Sequence, residues 1–144
     1  MNSRQRDLVR GTLESLRPIS KEFGVDFYQR LFRLDPALRA LFRGDLENQE
    51  AMFVASLHMA ALGLVEDGVV PATVHDLGAR HARYGVEGAH YATFREALLG
   101  ALAARLGDGF TPEIRDAWTA AYDLLADAMK EASARAGAPA PAGA

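Results

Sequence analysis

Hydrophobic residues recur at steps of three and four positions along most of the chain, which is the spacing of an α-helix that buries one face. Strict alternation of apolar and polar residues is absent, Ala, Leu, Arg and Glu dominate, and β-branched residues are few. The pattern therefore predicts an all-α protein of about seven helices with short connections. The first predicted helix ends near Pro18, and the others cover about residues 19–34, 36–42, 45–65, 71–84, 90–106 and 111–134.

Capping residues mark several of the predicted helix starts. Asp35 precedes Pro36, Asp45 precedes the longest apolar pattern, and Thr111 precedes a proline and a glutamate. The predicted helices differ widely in length, whereas a regular four-helix bundle has four similar helices. We therefore expect an irregular helical fold around an internal cavity.

Composition sets the size and the class of the protein. The 144 residues correspond to one domain, which we place at residues 1–135, and the stretch AGAPAPAGA at 136–144 is predicted to be a disordered tail. The absence of cysteine excludes disulfides, thiolate metal sites and cysteine nucleophiles. The net charge of −3 gives no indication of a nucleic-acid partner. A charged N-terminus and the lack of an apolar run of ~18–20 residues predict a cytoplasmic protein without a membrane partner.

Motifs of several common enzyme classes are missing from the chain. There is no G-x-S-x-G element, no glycine-rich phosphate loop and no H-E-x-x-H zinc motif. A di-iron bundle needs two E-x-x-H pairs on helices, and the single pair here, Glu87 and His90, spans a predicted turn. Candidate chemistry must therefore come from isolated residues on the apolar faces of helices.

His81 ends an apolar stripe on the helix predicted at 71–84. Three apolar residues precede it on the same face, at steps of four, three and four: Leu77, Val74 and Val70. The His81 side chain is then directed to the core, where it would be either a histidine bonded to a backbone carbonyl or a ligand. His58 and His75 lie outside the best apolar stripes and are predicted to be at the surface.

Polar and aromatic residues on other predicted helices are further candidates. Gln49 is the one polar member of an apolar stripe, although a register shifted by one residue would place Asn48 or Glu50 there instead. Tyr28 flanks the apolar stripe of the second helix, and Phe42 closes the short one. Buried amides and hydroxyls need hydrogen-bond partners. Gln49 and Tyr28 are therefore either half-exposed boundary residues or donors to a ligand, and Phe42 is compatible with ordinary core packing.

Three segments, in this order, resemble the bacterial single-domain globins and the haem domain of flavohaemoglobins. FYQRLFRLDPALRALF is similar to their second and third helices, and LGARHARYGVEGAHY is similar to their proximal segment. TPEIRDAWTAAYDLLADAM is similar to their last helix, with Trp118 and Tyr122 at the expected spacing. The last two segments are also similar to those of neuroglobin. The resemblance covers about residues 5–132, and it implies a globin fold around a pocket for heme b, the iron protoporphyrin IX.

The resemblance also implies a role for each candidate residue. His81 would be the proximal ligand of the haem iron, and His90 would lie outside the pocket in a structural or surface position. Tyr28 and Gln49 would be the distal hydrogen-bond donors to a gas ligand, with Asn48 or Glu50 as alternatives to Gln49. The other cofactor contacts implied are Phe42, Phe53, Leu77, Val86, Tyr91 and Phe94.

The implied function is reversible binding of oxygen, and also of nitric oxide, carbon monoxide or cyanide, at a histidine-ligated iron. One alternative is an enzyme, either a nitric oxide dioxygenase or another haem redox activity that takes electrons from an external reductase. A second alternative is a haem-free helical sensor or interaction module. In flavohaemoglobins a glutamate of the last helix pairs with the proximal tyrosine and strengthens the histidine as a donor. Ser133 stands at the matching position and Glu131 two residues earlier, so the resemblance favours oxygen binding over an enzyme and leaves the oligomeric state open.

Overall fold

The computed structural model describes residues 1–42 and 44–137, and it describes side chains up to residue 135. These residues form six α-helices and no strand, which confirms the predicted all-α class. In chain order the α-helices are α1 Ser3–Leu16, α2 Ser20–Leu34, α3 Leu46–Asp67, α4 Ala72–Arg83, α5 Gly88–Leu106 and α6 Pro112–Gly137. Three short 3-10 segments lie between them, at Arg17–Ile19, Pro36–Leu41 and Gly107–Gly109.

The helix starts coincide with the capping residues that the sequence predicts. The Asp35 carboxylate accepts a hydrogen bond from the backbone of Ala37 at 3.2 Å, and the Asp45 carboxylate accepts one from Glu47 at 3.0 Å. The Thr111 hydroxyl accepts one from Ile114 at 3.2 Å. These bonds satisfy backbone N–H groups that the first helical turn leaves without partners. They confirm the three predicted caps.

Three boundaries differ from the sequence prediction. The short segment after Pro36 is a 3-10 helix that ends at Leu41, and Phe42 follows it in an extended conformation. Helix α5 begins at Gly88 rather than at about residue 90, because the His90 imidazole accepts a hydrogen bond from the Glu87 backbone and caps the helix. Helix α6 reaches Gly137, since the run after residue 130 is rich in alanine, a strong helix former. Helix α6 therefore includes residues 136–137, the first two of the predicted tail, and the rest of that tail, residues 138–144, lies outside the described residues.

The apolar stripes of the sequence are the faces on which the helices meet. Helix α4 packs along α6, α2 packs against α5 and α3, and α1 packs against α3 and α6. Trp118, Phe23, Leu31 and Leu102 are less than 2% exposed at these contacts. Full burial of a large apolar side chain contributes roughly 1.5–3 kcal/mol to stability. The packing therefore holds α4, which carries His81, against the C-terminal helix.

Gly78 is the closest point of approach between α4 and α6. A Cβ atom on Gly78 would lie 2.5 Å from the carbonyl oxygen of Met129 and 2.6 Å from its Cα atom. Real Cβ atoms do not approach backbone this closely, so any side chain at residue 78 would separate the two helices. The glycine is therefore required for the position of α4, and hence for the position of His81.

We expect Gly78→Ala to lower the free energy of unfolding by about 1–3 kcal/mol, because overpacking must displace the α6 backbone. Thermal or urea unfolding would measure this loss. Gly11→Ala is the matched control, since a Cβ at Gly11 of α1 meets nothing within 4 Å. That control should raise stability by up to about 1 kcal/mol through helix propensity. Equal stability of the Gly78→Ala variant and the parent would contradict the close approach.

Candidate functional site

An internal cavity of about 670 Å³ lies between helices α2 to α6. All the residues predicted for cofactor and ligand contact line it, although they come from distant parts of the chain. These residues are Tyr28, Phe42, Gln49, Phe53, Leu77, His81, Val86, Tyr91 and Phe94. We call this space the main cavity. The structure thus brings the predicted set together, and the contacts of these residues with a cofactor stay predictions.

His81 lines the main cavity from α4 and makes one hydrogen bond that decides its chemistry. Its Nδ1 atom lies 2.8 Å from the carbonyl oxygen of Leu77, one turn earlier on the same helix. A carbonyl oxygen only accepts, so Nδ1 carries the proton and Nε2 keeps its lone pair. Burial lowers the pKa of His81; the Leu77 bond opposes this shift and the charge of Arg80 adds to it. The bond to a backbone carbonyl is the first of the two sequence alternatives; it leaves Nε2 neutral and able to bind a metal, and the role of His81 as a ligand stays a prediction.

Tyr28 lines the main cavity from α2 and is 5% exposed. No hydrogen bond from its hydroxyl to another of the described residues is found. Burial, and secondarily the Glu50 carboxylate, raises the pKa of Tyr28 well above its usual range. The phenol therefore stays protonated and has a donor available for a ligand in the cavity.

Aromatic rings hold Tyr28 in place. Phe42 and Phe53 lie edge-on to the Tyr28 ring, with centroids 5.2 and 5.8 Å away. Phe53 in turn stacks on Phe27 at a centroid distance of 3.9 Å. Edge-on and offset contacts between rings are stabilising and leave little room for water. These rings therefore form an apolar wall of the main cavity, and they hold the Tyr28 hydroxyl in this wall.

The rotation of α3 places Gln49 in the lining of the main cavity and leaves both alternatives out of it. Asn48 is exposed, and its amide nitrogen lies 3.5 Å from the sulfur of Met52. Glu50 lines a second cavity on the other side of α3. Of the three register possibilities that the sequence leaves open, the structure therefore orients Gln49 toward the same space as Tyr28.

Two tyrosines of α5 and α6, Tyr91 and Tyr122, also line the main cavity. The Tyr122 hydroxyl of α6 donates to the Tyr91 carbonyl at 2.8 Å. The Tyr91 hydroxyl is buried and has no hydrogen-bond partner among the described residues, and burial raises its pKa. Glu131 is exposed and paired with Arg135, and Ser133 is half-buried. Within the part of the chain that the structure describes, the Tyr91 hydroxyl is therefore not paired with a carboxylate.

The structure adds residues that sequence reasoning missed and corrects two histidines. Arg80 and Arg83 line the mouth of the main cavity. In the sequence, these two cations within two residues of His81 were the feature that could have indicated them. His58 is half-buried and lines the second cavity. His75 is also half-buried, and its Nδ1 atom is buried without a partner among the described residues. The surface prediction was wrong for both, because helix packing covers residues beside a stripe as well as those on it.

No group of three or more His, Cys, Asp or Glu side chains in the described part of the chain is arranged to hold a metal ion. Likewise, none of the described helices combines the length and hydropathy needed to span a membrane. His81 therefore stands as a single imidazole donor at the wall of a largely apolar cavity.

Comparison with known proteins identifies relatives over most of the chain. The family profile described as Globin matches residues 25–129. The chain is 32% identical to the Anaerobic nitrite reductase NSHB5 of Oryza sativa subsp. indica, over 88% of this chain and 92% of that protein. It is 31% identical to Neuroglobin-2 of Oncorhynchus mykiss, over 95% of each chain. It is 32% identical to the Flavohemoprotein of Bordetella pertussis over 84% of this chain, but spans only 32% of that relative.

A solved structure agrees with the fold. The flavohemoglobin from Malassezia yamatoensis, determined with bound FAD and heme, matches 93% of this chain with a TM-score of 0.81. Sequence identity is 24%, and the match covers 37% of that protein. At this identity the likeness supports the helical architecture and no further property.

Loss of the hydroxyl should change the free energy of unfolding differently at Tyr122 and at Tyr91. Tyr122→Phe removes a half-buried hydrogen bond and should cost about 1 kcal/mol, whereas Tyr91→Phe removes a buried hydroxyl without a partner and should be neutral or stabilising. Chemical unfolding of the two variants beside the parent provides the comparison. If Tyr91→Phe lowers the free energy of unfolding by more than about 1 kcal/mol, the Tyr91 hydroxyl must bond a group outside the described residues.

Proposed function

The chain belongs to the globin family, and we propose that it is a single-domain b-type haem protein that binds a diatomic gas reversibly, with oxygen as its main ligand. One observation carries the proposal. His81 lines the main cavity with its Nδ1 proton directed to the Leu77 carbonyl, which leaves Nε2 unprotonated, and Tyr28 lines the same cavity with a protonated hydroxyl that makes no hydrogen bond to the described residues. A neutral imidazole and a free hydrogen-bond donor in one cavity suit a metal centre with an exchangeable polar ligand.

The residues of the main cavity fit haem. Its volume, about 670 Å³, lies within the range of cofactor sites. Apolar and aromatic side chains form most of the wall, while Arg80 and Arg83 at the mouth would neutralise the two propionates. Haem would supply an iron centre that binds a gas, and His81 Nε2 would be the protein ligand of that iron. Leu77 and Val86 would be among the apolar residues that contact the cofactor.

The chain's own residues then define how a gas is held. Tyr28 and Gln49 would donate hydrogen bonds to a polarised diatomic ligand, and the raised pKa of Tyr28 keeps its proton in place. Phe42 and Phe53 would keep water away from the same space, which slows oxidation. These donors favour oxygen over carbon monoxide, because bound oxygen carries more negative charge.

A haem redox activity with an external reductase is the second candidate. Two relatives favour it, since one is named a nitrite reductase and another a flavohemoprotein. The environment of His81 favours gas binding, because Nδ1 donates to a backbone carbonyl and not to a carboxylate that would raise imidazole basicity. Consumption of nitric oxide or nitrite by the haem protein with a purified reductase would decide between the two candidates.

The haem-free alternative has a direct test. The proposal requires a Soret absorption band after haem is added to the purified protein, and absence of that band would leave a helical sensor or interaction module. A cytoplasmic location, an origin among the bacterial single-domain globins and a domain limit at residue 135 belong to the same proposal.

We expect His81→Ala to abolish axial ligation and weaken haem retention strongly, since no other described side chain offers a prepared imidazole to the main cavity. The ferrous absorption spectrum and the rate of haem transfer to an acceptor protein measure both effects. His58→Ala and His90→Ala are matched controls and should leave ligation intact, because one lines the second cavity and the other caps α5. An unchanged spectrum and unchanged retention in His81→Ala would show that another residue is the ligand.

Tyr28→Phe should speed oxygen dissociation about tenfold or more, because a hydrogen bond to a polarised acceptor contributes roughly 1.5–3 kcal/mol. Carbon monoxide dissociation should change less, and Gln49→Leu should act in the same direction as Tyr28→Phe. Stopped-flow measurement on the ferrous proteins gives the rates. Gln29→Leu is the control for Gln49→Leu, since Gln29 is exposed on α2 and does not line the main cavity. Oxygen off-rates within about twofold of the parent for both Tyr28→Phe and Gln49→Leu would refute the distal assignment.

A further inference from the structure

Met52 of α3 combines two properties that rarely occur together in an apolar side chain. It is 54% exposed, and it also belongs to the lining of the main cavity. Its thioether can therefore be reached from solvent while the side chain remains part of the wall of the site. Nothing in the proposed function above uses this residue.

The other methionines do not share this combination, and all four methionines of the sequence lie in the described part of the chain. Met129 lines the main cavity but is half-buried, and Met59 is 72% exposed but lines the second cavity and not the main one. Met1 is half-buried and packs against the core. Among these four described methionines, Met52 is thus the one that is open to solvent and lines the main cavity.

A side-chain amide contacts the Met52 sulfur. The Nδ2 atom of Asn48, one turn earlier on α3, lies 3.5 Å from Sδ. Sulfur is a weak hydrogen-bond acceptor, so this contact does little for the thioether itself. Oxidation to the sulfoxide makes the side chain polar and chiral, and an oxygen added to Sδ on the side of Asn48 would lie within reach of the same amide. The Asn48 amide is therefore placed to stabilise one epimer of oxidised Met52.

We propose that Met52 is a reversible oxidation site, at which hydrogen peroxide converts the thioether to a sulfoxide that the Asn48 amide holds. In this step a sulfur lone pair attacks one peroxide oxygen, the S–O bond forms and the O–O bond breaks. Sulfur loses two electrons, and the second oxygen takes them and leaves as water with both peroxide protons. Methionine sulfoxide reductases reverse the change with two thiols as the reductant, which release water and form a disulfide. The wall of the main cavity can therefore alternate between an apolar and a polar form.

Oxidation of Met52 changes the face of α3 that lines the main cavity. Gln49, Met52 and Ser56 line the cavity at steps of three and four residues, so they are neighbours on one face of the helix. A sulfoxide oxygen has two lone pairs, and it can accept from the Gln49 amide as well as from Asn48. This consequence, unlike the oxidation itself, rests on the proposed function, in which the Gln49 amide donates to the gas ligand. Oxidised Met52 removes that donor from the ligand, and oxygen then dissociates faster.

Peptide mass spectrometry after treatment of the carbon monoxide form with hydrogen peroxide tests the oxidation. Each of the two methionine sulfoxide reductases accepts one epimer, so treating the peptides with either enzyme measures the epimer ratio. We expect about three to one or more at Met52, in line with one hydrogen bond, and about one to one at the exposed Met59. Asn48→Ala should bring Met52 to about one to one as well. Equal epimers at Met52 in the parent, or a bias that Asn48→Ala retains, would overturn the proposal.

Oxygen dissociation from the ferrous haem protein, measured after removal of the peroxide, tests the effect on the cavity. Oxidation should speed dissociation about threefold or more in the parent and in the control Met59→Leu. It should leave the rate of Met52→Leu at its own untreated value, and it should change Gln49→Leu little because the donor is already absent. An unchanged rate in the parent with oxidised Met52 would overturn this effect and leave the proposed function standing. Failure to bind haem would remove the proposed function, while the peptide measurement on the protein as purified still decides the oxidation.

Discussion

The hydrogen bond from His81 Nδ1 to the Leu77 carbonyl is the interaction on which the site depends. Both groups belong to α4, so the bond needs only a helix and the correct rotamer. It determines the tautomer, leaves the Nε2 lone pair free and directs the ring into the main cavity. The position of α4 in turn depends on its contact with α6, which the glycine at residue 78 permits. The backbone of one helix and the packing of another therefore decide the chemistry of one imidazole.

Burial shifts the pKa values of two residues of the main cavity in opposite directions. It lowers the pKa of His81 and raises the pKa of Tyr28, because in each case it disfavours the charged form. The result is a neutral electron-pair donor and a neutral proton donor in the lining of one cavity. Two neutral groups of this kind do not form an ion pair with each other, which is the arrangement that the proposed reversible binding of a gas requires.

The aromatic residues of α2 and α3 serve two purposes at once. Their stacked and edge-on contacts position the Tyr28 hydroxyl, and the same rings are the boundary between the two cavities. Gly24 brings the helices together here, since a Cβ at that residue would lie 3.0 Å from the Val54 side chain. A wall made of rings on two closely packed helices is rigid on average, because protein interiors are packed as densely as organic crystals.

Local patterns in the sequence were sufficient for the helical class, the positions of most helices and the caps at Asp35, Asp45 and Thr111, because each depends on residues within one or two turns. The apolar stripe was also sufficient to direct His81 inward. Three features depended on tertiary structure. The rotation of α3 decided that Gln49, not Asn48 or Glu50, lines the main cavity, and helix packing buried half of His58 and His75. The second cavity, on the other side of α3, is a gap between helices. No residue pattern encodes such a gap directly, because its size depends on how closely three separate helices pack.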